Sequence, residues 1–179
     1  MKKSVLKVQM FGAYSIEYEG KPISFERNTA TKTNQLMQIL LQAGEKGVAR
    51  AKLLSDLFGD EEMSYPANSL RATVFRLRRL LAAAGLPEDE YVTIKGGSYY
   101  WTSEIPYELD AHQFEELLKK AEKENDLEQK KSYIEEACEL YRGEFLPQLG
   151  AEEWAVVLNV YFLQLSFFYG RVPVCAESD

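Results

Sequence analysis

The sequence predicts two structural units, an α+β domain over residues 1–103 and an all-α region over residues 104–179. Three observations lead to this fold class. Strand-like segments enclose three helical segments in the first part, a double glycine joins two β-rich segments at its end, and only helical patterns follow. The chain has 179 residues, of which 46% are apolar, and is therefore long enough to bury two cores.

The first domain begins with strands. Apolar and polar residues alternate over Val5–Phe11 and Tyr14–Tyr18, and a turn then leads into Pro22–Phe25, so these segments predict a small antiparallel sheet. Two helices follow, because apolar residues recur at helical spacing over Thr31–Ala43 and again over Arg50–Phe58, and a glycine ends each run.

A third helix and a hairpin complete this domain. The helix begins at Ala67 or Asn68, after a proline that suits a helix start, and runs to Ala84. Tyr91–Ile94 and Ser98–Thr102 are β-rich and are joined through Lys-Gly-Gly, which is the strongest hairpin signal in the chain. A sheet, three helices and a terminal hairpin in this order predict a winged helix.

The second region is helical. After a linker at Ser103–Leu109, apolar residues at helical spacing mark one amphipathic helix around Phe114–Ala121 and another around Ile134–Tyr141. The short break between them, at Glu124–Asp126, predicts an antiparallel helical hairpin. Glu152–Tyr169 supplies one more helix, which its apolar composition predicts to be buried.

The net charge of −7 is unfavourable for a protein that binds nucleic acid, because phosphate contacts need Lys and Arg. The charge is unevenly divided, however. Residues 1–103 hold 14 Lys and Arg against 11 Asp and Glu, a balance of +3, whereas residues 104–179 hold 7 against 17, a balance of −10. This division favours a first domain that faces DNA and a second that does not.

The sequence favours a cytoplasmic protein without a membrane span. Met1–Leu6 does not begin the long apolar core of a signal peptide, and the apolar stretch Trp154–Tyr169 falls short of the roughly 20 residues that a bilayer requires. Cys138 and Cys175 are too few for a disulfide framework, which fits a reducing cytosol. No cluster of Cys and His has the spacing of a metal site, and no cofactor is predicted.

The third helix has two faces. Leu70, Val74, Leu77 and Leu81 follow spacings of four, three and four, which predicts a buried stripe. An arginine-rich opposite face suits the major groove, where Arg binds guanine and Asn binds adenine. The residues of this face and its flanks are the predicted DNA contacts: Asn68, Arg71, Ala72, Phe75, Arg76, Arg78 and Arg79. The alternative is that these arginines only solvate a surface helix.

Two further features of the DNA-binding surface are predicted. Phe75 lies about 130° from the buried stripe, so it either contacts a thymine methyl group or packs under the wing. Thr93 and Lys95 stand beside the glycine turn, at a hairpin tip that can approach a phosphate or enter the minor groove. A Lys beside a glycine turn is common, so on its own this is a weak signal.

The segment Leu70–Leu81, followed by Val92–Tyr99, resembles the recognition helix and wing of OmpR-type regulators. In that family an Arg-Leu-Arg run precedes a wing with the pattern Thr-Val-Arg-Gly-x-Gly-Tyr. Ser98 stands where the family has the second glycine, so the wing geometry is open at that position.

Taken residue by residue, the resemblance implies four DNA contacts. Arg76 and Arg78 match the two arginines of the family run, and Thr93 and Lys95 match the Thr and Arg of its wing. The resemblance also implies that two copies bind adjacent direct repeats.

The later part of the chain resembles the bacterial transcriptional activator domain. Leu109–Phe114, Ala137–Leu146 and Glu153-Trp154 look like its Asp-x-x-x-Phe, Leu-x-x-Gly-x-Phe-Leu and Trp landmarks. An OmpR-type winged helix followed by this domain is characteristic of the SARP class of activators. In that class the domain continues through further tetratricopeptide-like helices, so the chain resembles a SARP-class regulator truncated inside it.

The acidic loop Asp60-Glu61-Glu62 precedes the third helix, where the OmpR-type resemblance implies a transactivation loop. Its charge repels phosphate and attracts a basic surface, so we expect it to contact RNA polymerase rather than DNA. The alternative is a solvated loop without a partner.

Two other functional classes compete with a DNA-binding regulator. An enzyme is disfavoured, because His112 is the only histidine and the chain has no nucleophile motif, phosphate loop or metal cluster. The remaining alternative is a protein-interaction module, in which the helical region binds partners and the winged helix docks protein instead of DNA.

Overall fold

The computed structural model describes residues 4–24, 30–59 and 66–170. Its strands are β1 (Leu6–Gln9), β2 (Ser15–Tyr18), β3 (Lys21–Ile23), β4 (Val48–Ala49), β5 (Val92–Lys95), β6 (Ser98–Trp101) and β7 (Tyr107–Leu109). Its helices are α1 (Lys32–Ala43), α2 (Arg50–Phe58), α3 (Pro66–Ala83), α4 (Asp110–Lys123), α5 (Leu127–Leu140) and α6 (Glu153–Gly170). Gly44–Lys46 and Pro147–Leu149 form short 3₁₀ turns.

The strands form two sheets, with the orders β3-β2-β1-β7 and β4-β6-β5. The predicted linker Ser103–Leu109 is wrong in its last three residues, which are β7 and hydrogen-bond beside β1. Three residues are too few to show alternation, so the pairing partner and not the local sequence determines this strand.

The chain divides into two compact units that are not continuous in sequence. The first consists of the residues up to Leu6 and of Ile16–Tyr107, and the second consists of Lys7–Ser15 and the residues from Glu108 onward. The segment 7–15 therefore packs with elements about a hundred positions later in the chain, a long-range contact that local sequence patterns do not reveal.

The first unit is built on the packing of α1, α2 and α3 with the sheet β4-β6-β5. The side chains without solvent exposure in this unit include leucines and a methionine of α1 and α2: Leu36, Met37, Leu40, Leu41, Leu53 and Leu57. The helices at Thr31–Ala43 and Arg50–Phe58 are thus confirmed, and Thr31 caps α1 by accepting a hydrogen bond from the Asn34 amide at 3.3 Å.

The second unit has an aromatic core around Phe11. The Phe11 ring centroid lies 5.5 Å from that of Phe114, 4.9 Å from that of Tyr141 and 5.1 Å from that of Phe162, which come from α4, the end of α5 and α6. Such pairs of rings stabilise a core beyond the area they bury. Phe11 and Phe162 have no solvent exposure.

Asp110, the first residue of α4, is a buried carboxylate that organises the same unit. It accepts hydrogen bonds from the Met10 amide at 2.8 Å, the Phe11 amide at 2.9 Å and the Ala111 amide at 2.8 Å. Burial raises the pKa of Asp110, against the opposing effect of these amide donors. A single side chain thereby satisfies three backbone donors, two of them from the distant segment 7–15.

The prediction that the last helix is buried is only partly right. Trp154, Ala155 and Phe162 of α6 are buried, whereas Val157 is 61% exposed and Phe167 and Phe168 are also exposed.

No helix in residues 4–24, 30–59 and 66–170 is long and apolar enough to cross a membrane. Cys175 lies outside the described residues, so the reducing environment expected from the cysteine count stays a prediction.

Candidate nucleic-acid interface

The buried stripe of α3 is confirmed. Leu70 and Leu81 have no solvent exposure, and Val74 and Leu77 are nearly as buried. Thr73 is also buried on this face. Its polar hydroxyl is accommodated there because it donates a hydrogen bond to the Ser69 carbonyl, one turn earlier in the helix, at 2.8 Å. The orientation of α3 is therefore fixed by its own leucines, which turn its other side to solvent.

The opposite face of α3 is open. Its exposed residues are Asn68, Arg71, Phe75, Arg76, Arg78 and Arg79, and Ala72 between them is half-buried. Within residues 4–24, 30–59 and 66–170, no hydrogen bond or ion pair engages Arg71 or Arg76. Two guanidinium groups with no internal partner in this part of the chain are free to bind an external acceptor.

Arg78 is used inside the protein. Its Nη2 donates to the Val92 carbonyl of β5 at 2.6 Å and lies 3.7 Å from the Glu90 carboxylate. This bond joins α3 to the wing, because Val92 is the first residue of the hairpin. Direct base contact by Arg78 stays a prediction, and in this structure the side chain positions the wing.

The wing is the hairpin of β5 and β6. Thr93 faces Tyr100, and Lys95 faces Ser98 across the turn. Gly96 and Gly97 both have positive φ, of 58° and 78°, which is the backbone that a two-residue hairpin turn needs and that glycine adopts without strain. Replacement of the family's second glycine by Ser98 therefore leaves the turn intact.

The two predicted wing contacts, Lys95 and Thr93, differ in how accessible their side chains are to DNA. Lys95 is exposed beside the turn, and no described residue forms a hydrogen bond or ion pair with it. Thr93 is half-buried, and its hydroxyl shares a hydrogen bond of 2.6 Å with the Thr102 hydroxyl. Lys95 is thus the wing side chain best placed to reach a phosphate.

The wing is braced from the side by β4, which pairs with β6, and by the start of α2. The Arg50 amide donates to the Gly97 carbonyl at 3.0 Å, so an exposed arginine that the sequence analysis missed stands beside the turn. Only the pairing of β4 with β6 reveals it. Gly47, with φ of +63°, leads into β4, and a Cβ there would lie 2.4 Å from the Tyr100 ring.

Asp89 fixes the chain at the base of the wing. It accepts hydrogen bonds from the Ser103 hydroxyl at 2.9 Å and the Glu104 amide at 2.8 Å. Burial raises the pKa of this carboxyl, but these bonds and the Glu90 amide outweigh it, so the pKa of Asp89 is lowered. The stability that Asp89 contributes is therefore present at neutral pH and is lost as the pH falls through its lowered pKa.

The predicted polymerase contact, Asp60-Glu61-Glu62, lies outside the described residues. In the part of the chain that the structure describes, no group of three or more His, Cys, Asp or Glu residues could hold a metal ion.

No protein-family model matches the chain. Among curated proteins, it is 28% identical over 120 residues to Protein RcaC from Microchaete diplosiphon, a match that covers 62% of this chain and 18% of RcaC. Among solved structures, it is similar to EmbR of Mycobacterium tuberculosis in complex with a low-affinity phosphopeptide, with a TM-score of 0.71 and 16% identity. That match covers 94% of this chain and 44% of the EmbR chain.

This chain therefore spans less than half the length of either protein. EmbR is a SARP-family regulator with a winged helix followed by helices. The winged helix and helical region predicted from the sequence are confirmed at the level of the fold, and the chain has the EmbR architecture over nearly its whole length.

Proposed function

We propose that the chain is a sequence-specific DNA-binding transcriptional regulator of the SARP-like type, acting in the cytoplasm. The observation that carries this proposal is the open arginine face of α3, where Arg71 and Arg76 have no partner among the described residues. Lys95 on the wing adds a second, separate cation. The similarity to RcaC and EmbR supports a transcriptional regulator.

The two kinds of cation have different tasks in this proposal. A guanidinium on a helix that enters the major groove binds the O6 and N7 of guanine in a bidentate manner, which selects a base. An ammonium at a wing tip binds a phosphate of any sequence and sets the position of the protein on the duplex. Arg76 thus supplies specificity, and Lys95 supplies affinity.

The partner besides DNA is a second copy of the chain. One recognition helix contacts only a few base pairs, so two copies on adjacent half-sites, about one helical turn apart, are needed for a unique site. The family resemblance favours direct repeats over a palindrome.

Salt-dependent binding tests this function. The full chain, used to select sites from a random duplex pool, should enrich one sequence with two half-sites, and its affinity should fall steeply between low and physiological salt. A nuclease footprint at saturation should cover both half-sites. Failure to enrich any sequence at low salt would contradict DNA binding and leave the second candidate.

That second candidate is a helical protein-interaction module whose winged helix does not bind DNA. The exposed apolar residues of α6, among them Val157, Phe167 and Phe168, favour it. The two candidates are separable, because such an interaction module enriches no sequence from the duplex pool, whereas a sequence-specific DNA-binding protein enriches one and loses affinity steeply as the salt concentration rises.

We further propose that the regulator activates transcription through RNA polymerase, with Asp60, Glu61 and Glu62 as the contact. Replacing all three with alanine should leave operator affinity unchanged or slightly higher, because negative charge near phosphate is removed. Transcription from a saturated target promoter should fall in a reconstituted assay. Unchanged transcription would exclude this loop, and a matched triple replacement at the exposed residues Glu116, Glu128 and Glu139 controls for loss of acidic charge elsewhere.

A further inference from the structure

Phe75 is a large apolar side chain on the exposed, otherwise polar face of α3. Its side chain is 61% exposed, on a face where the flanking exposed residues are arginines. The structure excludes the sequence-based alternative that Phe75 packs under the wing, because a packed ring would be covered. A large exposed aromatic on an otherwise cationic face indicates a surface that is covered when a partner binds.

The ring is partly held in place by the helix itself. The Arg79 guanidinium carbon lies 5.9 Å from the Phe75 ring centroid, one turn further along α3, at the outer limit of a cation–π contact. The Arg79 side chain thus stands next to the ring without hiding it. Phe75, Arg71 and Arg76 are all exposed on the side of α3 that faces away from its buried stripe.

The proposed function determines which apolar group this ring can meet. In the major groove, the base edges present donors and acceptors, and the only apolar group among them is the C5-methyl of thymine. A phenylalanine on the face that enters the groove gains nothing from guanine, adenine or cytosine edges, whose polar atoms it would desolvate. The thymine methyl is the one chemical group in the groove that it fits.

We infer that Phe75 is a specificity-determining residue that recognises the 5-methyl group of a thymine in each half-site, with Arg79 as a positioning residue beside its ring. This inference rests on the proposed DNA-binding function. It adds a contact through apolar burial, which the arginines of the same face cannot provide.

Deoxyuridine substitution tests the contact, because it removes the methyl group and leaves base pairing unchanged. With the full chain and its selected site, replacing thymines one at a time should lower affinity about fourfold at one position per half-site, the effect expected for one buried methyl group. Phe75→Ala should bind the thymine and uracil sites equally. Phe75→Leu should keep part of the difference, because it retains an apolar side chain.

The outcomes separate the two levels of the proposal. If the wild-type chain selects no DNA sequence, the proposed function fails. If it selects a site but no single uracil lowers its affinity, or if Phe75→Ala keeps the full sensitivity to uracil, the methyl contact is wrong while DNA binding stands. Loss of cooperative binding to tandem sites in Phe75→Ala, without any uracil effect in the wild type, would likewise overturn it and assign Phe75 to contact between copies.

A separate control measures whether Phe75→Ala is still as stably folded as the wild type. Because Phe75 is exposed, Phe75→Ala should unfold at the same denaturant concentration as the wild type, so a binding change cannot be attributed to unfolding. Arg79→Ala should reduce the uracil effect, and Arg79→Lys should restore part of it if a cation beside the ring is what matters.

Discussion

Replacing Asp110 with alanine is expected to lower the free energy of unfolding by about 2–6 kcal/mol, which is the cost of leaving two buried amide donors without acceptors at about 1–3 kcal/mol each. The donors are the backbone N–H groups of Met10 and Phe11, which have no solvent exposure and bond to the Asp110 carboxylate at 2.8 and 2.9 Å. The Ala111 amide loses its acceptor as well. Denaturant unfolding of the full chain measures this loss.

Asp126→Ala is the matched control for this substitution. Asp126 caps α5 by accepting one bond from the Gln129 amide at 2.8 Å, but it is exposed, so its loss should cost only about 1 kcal/mol. Asp110→Asn should fall between wild type and Asp110→Ala, because one carbonyl oxygen remains. Faster amide exchange at Met10 and Phe11 would locate the damage. Equal losses from Asp110→Ala and Asp126→Ala would show that the buried bonds are not specially stabilising.

Arg76→Ala is expected to lower discrimination at one base pair of the selected site by about 5-fold to 150-fold, which corresponds to roughly 1–3 kcal/mol for one bidentate base contact. Arg76 is exposed and makes no hydrogen bond or ion pair with a described residue, so its truncation should leave stability unchanged. Repeating the site selection with the variant measures the change directly, as a relaxed preference at one position of each half-site.

Lys95→Ala and Lys52→Ala are the comparison variants for Arg76→Ala, since each also removes one positive charge. Lys95→Ala should weaken binding to all sequences alike and reduce the salt dependence by about one ion per site. Lys52→Ala also removes one positive charge, but Lys52 lies on α2 in an ion pair with Asp56 at 2.8 Å, so we expect it to change binding very little. If Arg76→Ala keeps the wild-type site preference, the assignment of α3 as the recognition helix is wrong.

The parts of the fold that could be predicted are those in which several neighbouring residues indicate the same element. The helix α2 runs from Arg50 to Phe58, as its leucine spacing and the following glycine predict. The wing turn follows from two consecutive glycines. The strand β7 and the two-residue strand β4 could not be predicted, because each is shorter than the window over which periodicity becomes visible and exists only through its pairing.

The candidate site shows the same limit. Helical geometry suffices to place Arg71, Arg76 and Phe75 away from the buried stripe, since their angle around the axis depends only on sequence position. It does not reveal that Arg78 bonds to the Val92 carbonyl, because that bond joins residues on different elements. Nor does it reveal Arg50, which comes close to the wing only because β4 pairs with β6.

The long-range assignment of segment 7–15 also has a consequence for synthesis on the ribosome. The chain emerges with Phe11 first, whereas Phe114 and Phe162, which pack against its ring, emerge more than a hundred residues later. The helices α1 to α3 lie between them in sequence and complete their own unit earlier. During translation, therefore, the segment 7–15 lacks the aromatic partners of its core until α4 and α6 have been synthesised, and the second unit can complete its core only after the first.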